Sequence, residues 1–144
     1  MSTKHLKILL VDDDDCSLLG IAVNMTDHNI CLRNVTDGAQ AIDYLEGRGV
    51  YADRSTHPAP DLVVLDLNMR VTGGLDFLDW RRASASFASL PVVIFGDADY
   101  KGTVETALAK GADTFVAKPL EFEGWDAAVR QIWDLGMERS EAIA

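Results

Sequence analysis

At 144 residues, with 48% hydrophobic and 25% charged side chains, the chain fits one folded domain with a real core, which excludes disordered and fibrous classes. A net charge of −10 repels phosphate backbones and anionic headgroups, so direct nucleic-acid and membrane partners are excluded as first readings. No apolar run nears the roughly 20 residues of a bilayer span and residues 1–10 lack a signal peptide's cleavage site, so a cytoplasmic setting is expected, with Cys16 and Cys31 as reduced, ordinarily packed thiols.

Residues 7–11 open the chain as a continuous apolar run. A helical pattern follows, with Leu18, Ile21, Ala22 and Met25 on one face. Ile30–Val35 reads as a second strand, and its Arg33 and Asn34 mark a sheet edge. Asp37 before Gly38 is the expected N-cap of a helix that runs to about Glu46 with Ile42 and Leu45 on one face. Residues 47–60, with Gly49, Pro58 and Pro60, are too broken for a helix and read as an extended surface loop. The Gly47-x-Gly49-x-x-Ala52 run there matches a dinucleotide fingerprint only superficially, because it follows a helix instead of a strand.

A third strand covers 62–65, and the helix after Gly74 carries Leu75 and Leu78. A fourth strand covers 91–95. The next helix, 100–110, stops at Gly111, a natural residue for a helix C-terminus. Thr114–Ala117 is the fifth strand. The last helix runs from 122 to about 137 with Trp125, Val129, Ile132 and Trp133 as its apolar stripe, beyond which the tail is expected to fray.

Four of the five apolar runs are continuous, which suits strands covered on both faces. Five alternations of strand and helix predict an α/β fold, a doubly wound five-stranded parallel sheet of order 2-1-3-4-5, occupying 1–144 as a single domain with a core of about 5–137 and no output domain. In such sheets ligands bind beyond the carboxyl ends of the strands where the order reverses, here just after Val11 and Leu65.

Asp12, Asp13, Asp14 and Asp15 follow the first strand, and Asp66 follows the third. Two unit charges about 4 Å apart repel by about 4 kcal/mol at an effective dielectric of about 20, so converging carboxylates invite a shared proton or a cation. A hard divalent ion with oxygen ligands is the better solution. Mg²⁺ would take Asp13 and Asp66 directly, Asp12 through a water, and the backbone carbonyl of Asn68. Lys118-Pro119, after the fifth strand, brings an ammonium group to the same edge.

The segments ILLVDDDD, DLVVLDLNM and FVAKP, in this order and register, resemble the receiver domain of two-component response regulators over nearly the whole chain. That resemblance implies a flavodoxin-like receiver fold, Asp66 as the phosphorylated aspartate, Asp12 and Asp13 as the acid pair, Lys118 as the phosphoryl-contacting lysine and Phe115 as the aromatic that moves on activation. It implies a Mg²⁺-assisted phosphoacceptor that catalyses only its own phosphorylation and dephosphorylation. Its partners would be a histidine kinase or phosphotransfer protein and a downstream protein. Separately from the resemblance, a homodimer through helices 100–110 and 122–137 is an expectation. The segment YADRSTHPAPDLVVLDLNM is similar to single-domain regulators that partner phytochrome-type histidine kinases.

The pattern is broken at Gly96, where the family usually has Thr or Ser, and Asp97 follows where a small residue is typical. Arg70 replaces the usual proline, and Gly73 stands where Asp or Asn is frequent. Glycine offers no hydroxyl to a phosphoryl group, so an alternative is an interaction module or phosphate sink uncoupled from phosphorylation. An aspartate-nucleophile phosphohydrolase is a third class, but it needs Asp-x-Asp where this chain has Asn68. Taken singly, Asp14 and Asp15 are turn or cap residues, Phe115 and the tryptophan stripe are core, and Lys-Pro is a turn. Their ordered co-occurrence at three strand ends favours the phosphoacceptor. His5, His28 and His57 lack ligand spacing and read as surface residues.

Overall fold

The computed structural model describes residues 6–12, 30–66, 74–96, 101–117 and 124–143. Among them are strands β1 (Leu6–Val11), β2 (Ile30–Val35), β3 (Leu62–Asp66), β4 (Val92–Gly96) and β5 (Thr114–Ala117). The helices are α1 (Gly38–Glu46), α2 (Gly74–Ala83), α3 (Lys101–Ala109) and α4 (Trp125–Ile143). All strand pairs are parallel and their order is β2-β1-β3-β4-β5, as the alternation predicts. The helix expected around Leu18, Ile21, Ala22 and Met25 lies outside the described residues.

Side chains alternate between the two faces of the sheet with the period of two that a strand dictates. Leu6, Ile8, Leu10, Val64 and Phe95 pack on one face against Trp125, Val129 and Ile132 of α4. Leu9, Val11, Val63, Leu65 and Ile94 pack on the other against Tyr44 of α1, Phe77 of α2 and Ala107 of α3. With both faces covered, β3 and β4 are buried along their whole length, which is why LVVL and VVIF are continuous apolar runs ahead of Asp66 and Gly96.

Asp37 caps α1 as expected, its side chain accepting from the Gln40 amide at 2.8 Å, while the Gln40 side chain accepts from the Thr36 amide at 3.0 Å. Gly111 ends the α3 segment at φ 108°, a conformation that favours glycine. The frayed tail expected after residue 137 is instead helix as far as Ile143. No glycine or proline stands after Met137 to stop it, and Glu138, Arg139, Glu141 and Ala142 are good helix formers.

The segment 47–61 is also more ordered than an extended loop, because it contains a 3₁₀ turn at Gly49–Ala52. Arg54 organises it by donating to the carbonyls of Tyr44 at 2.8 Å, Leu45 at 2.7 Å and His57 at 3.1 Å, which satisfies acceptors left open at the end of α1. The Tyr44 hydroxyl donates to the Pro58 carbonyl at 2.9 Å. His57 is not the surface residue the sequence suggests: it is half-buried, with its ring edge-on to Tyr44 and Tyr51. Among the described residues no helix is long and apolar enough to cross a membrane.

Candidate functional site at the carboxyl edge of the sheet

β1 and β3 are neighbours, and Val11 is in register with Leu65. Asp12 and Asp66, the next residue of each segment, therefore stand side by side on backbones about 4.8 Å apart. Asp12 is 7% exposed and Asp66 3%, so two carboxylates from distant parts of the chain are buried at one point. That point is where the strand order reverses, the place at which a doubly wound sheet opens to ligands.

Across β3, Asp66 is in register with Phe95, which packs edge-on against Trp125 of α4 at a centroid distance of 5.4 Å. Gly96 closes β4; it is buried and in register with Ala117, which leads directly into Lys118. Main chain alone therefore represents position 96 at this edge. Phe115, in register with Ile94, is half-buried against the cluster shared by α1, α2 and α3. Asp13, Asn68, Asp97 and Lys118, like Arg70 and Gly73, lie outside the described residues.

Two buried carboxylates on adjacent strands form a hard-oxygen donor set, the chemistry that Mg²⁺ and similar divalent ions require, and one that soft metals do not favour. The residues present thus fit the ion that the sequence suggests.

Two polar side chains that organise the sheet are not evident from sequence. Asn34 appears there only as an edge marker, yet its side-chain amide contacts the carbonyls of Leu10, Val35 and Asp12 at 3.0, 3.3 and 3.5 Å. The available signal is an asparagine inside a strand, where that residue is depleted. Arg81 lies at the opposite end of the sheet, 3% exposed, donating to the carbonyls of Leu90 at 2.7 Å and Gly111 at 3.0 Å and pairing with Asp113 at 3.3 Å. An arginine next to Arg82 on a helix gives no sequence sign of which of the two is buried.

The response regulator receiver domain family matches residues 8–130. The chain belongs to that family. This receiver domain is 31% identical over 138 residues to the nitrate/nitrite response regulator protein NarL of Escherichia coli strain K12, covering 94% of this chain and 58% of that protein. It is 28% identical over 123 residues to the transcriptional regulatory protein KdpE of Mycobacterium tuberculosis, covering 85% and 49%. The chain thus spans about half the length of these curated relatives, 58% and 49% in turn. Among solved structures, response regulator RPA3017, from red light signaling in R. palustris, matches with a TM-score of 0.82 at 28% identity, covering 89% of this chain and 91% of that one. The bacteriophytochrome response regulator RtBRR matches at 0.70 and 32% identity, covering 88% and 77%.

Proposed function

We propose that this receiver domain accepts a phosphoryl group on Asp66 from a histidine kinase or phosphotransfer protein and passes the signal on by protein contact. The observation that carries this reading is the buried juxtaposition of Asp66 with Asp12 at the β1–β3 switch point. In the transfer, a carboxylate oxygen of Asp66 attacks phosphorus, an O–P bond forms, and the bond from phosphorus to the donor's imidazole nitrogen breaks, leaving the donor histidine neutral once protonation is balanced. Bound Mg²⁺, held by Asp12, Asp13, Asp66 and the Asn68 carbonyl, would supply charge neutralisation for the phosphoryl oxygens.

Lys118 takes the remaining phosphoryl oxygen as a point charge in this reading. Burial of Asp66 orients the nucleophile and keeps bulk water from the acyl phosphate, so loss of the phosphoryl group proceeds through water admitted at the same site. The domain's catalysis is confined to its own phosphorylation and dephosphorylation. RPA3017 belongs to red light signaling and RtBRR is a bacteriophytochrome response regulator, which supports a phytochrome-type histidine kinase as the donor.

The test is incubation with Mg²⁺ and acetyl phosphate followed by intact-mass analysis. One phosphoryl adduct, removed by hydroxylamine and missing in Asp66→Asn, is the expected result. An unmodified parent protein, or an adduct that survives in Asp66→Asn, would sink the assignment.

A further inference from the structure

Among the described residues the ladder from β1 to β2 ends at Val11 with Val35, one residue short of Asp12. Hydrogen bonds around Asn34 help tie that end of the strand to β2. The Asp12 amide donates to the Val35 carbonyl at 2.9 Å. The Asn34 side-chain amide contacts that same Val35 carbonyl at 3.3 Å, the Leu10 carbonyl at 3.0 Å and the Asp12 carbonyl at 3.5 Å. All three partners are carbonyl oxygens, so the amide nitrogen must face them, and the orientation of the side chain follows from chemistry.

Both peptide groups of Asp12 are thereby tied to β2. Its N–H bonds the Val35 carbonyl, and its C=O, which belongs to the peptide leading into Asp13, faces the Asn34 amide. Asn34 is itself exposed, but Leu10, Val11, Asp12 and Val35 around it are buried, so its acceptors sit at the ends of rigid strands. An edge-strand residue with no place in the phosphoryl chemistry thus reaches back to the residue that carries the first acid.

We propose that Asn34 is a positioning residue: by bonding the main-chain carbonyls around Asp12 it fixes the direction in which the acid pair leaves the sheet, and so the affinity of the site for a divalent cation. This rests on the phosphoacceptor reading above, and the two fail separately. Partners that orient metal ligands typically change metal affinity by 10- to 100-fold when removed, and a bond to the main chain belongs at the lower end of that range.

The experiment uses the full chain and Asn34→Leu, with Asn34→Thr as the replacement should the leucine variant not fold. Mg²⁺ affinity is read by calorimetric titration, and amide hydrogen exchange is followed without metal. The expected result is a roughly tenfold loss of Mg²⁺ affinity, with faster exchange at the Asp12 amide and unchanged exchange at the core amide of Val64. Affinity equal to that of the parent overturns the role of Asn34. So does an Asp12 amide that changes only in step with Val64, which would mean general destabilisation. Failure of the parent itself to bind Mg²⁺ overturns the phosphoacceptor reading as well.

Discussion

A guanidinium that is 3% exposed is tolerable only when its donors are satisfied, and Arg81 meets that condition with two carbonyls and one carboxylate. Asp113 also accepts from the Val92 amide at 2.8 Å, so one carboxylate joins α2 to the entry points of both β4 and β5. Arg81→Met should destabilise the fold by about 3 kcal/mol in urea unfolding, because it takes the cationic partner from Asp113 and a donor from each of two carbonyls together. A loss below about 1 kcal/mol, the typical cost of an undistinguished substitution, would show that these bonds are replaced by water without penalty. Gly96 poses the opposite case, a missing group. A threonine there would restore a hydroxyl at the rim beside Ala117, and Trp125, packed on Phe95 next to it, is the built-in reporter. Gly96→Thr is expected to enlarge the tryptophan fluorescence change on adding Mg²⁺ and phosphodonor; an unchanged response would place the coupling elsewhere.

Between elements, α4 comes close to β1 at Gly136. A Cβ at Gly136 would lie 2.7 Å from one Leu6 methyl carbon and 2.8 Å from the other, and Leu6 is fully buried. Two effects oppose each other in Gly136→Ala. Helix propensity favours alanine by about 1 kcal/mol, while overpacking a core costs about 1 to 3 kcal/mol. The clash should prevail, with a net loss that shrinks or reverses in a Leu6→Ala background; additive effects in that double-mutant cycle would rule out direct contact as the cause. The segment 47–61 is held by different means. Arg54 caps α1 from outside the helix, and Tyr44 is buried enough for desolvation to push its hydroxyl pKa above the usual 10.0, with Arg33 and Arg54 opposing that shift. The 3₁₀ turn leaves Val50 75% exposed, so the segment's order comes from Tyr44, Arg54 and Pro58 and not from burial of its tip.

For the molecule as a whole, a net charge of −10 and two buried acids side by side at one sheet edge set the expectation that a divalent cation stabilises the folded state. A ligand that binds only the folded state stabilises by about 2.7 kcal/mol at one hundred times its Kd. For a domain of this size that corresponds to a rise in Tm of roughly 5 to 10 °C. Mg²⁺ should therefore raise Tm well beyond NaCl of equal ionic strength, EDTA should reverse the gain, and Asp66→Asn should lose most of it. Equal shifts from both salts would mean general screening and no specific site.

Much of this architecture is local information. The continuous runs at 62–65 and 91–95, the Asp37 cap and the glycine at 111 announce elements because strand burial, capping and positive φ are properties of neighbouring residues. The strand order adds only the handedness of crossovers, and from it the meeting of Asp12 with Asp66 follows at the level of strands. Tertiary structure alone decided the rest: that both acids are buried, that Asn34 turns toward Asp12, that Arg81 and not Arg82 is enclosed, and that His57 packs edge-on against two tyrosines. These are contacts from side chains to main-chain carbonyls or rings remote in sequence, and no periodicity records them. Their energies depend on which polar groups lose water together, a quantity that exists only once the chain has folded.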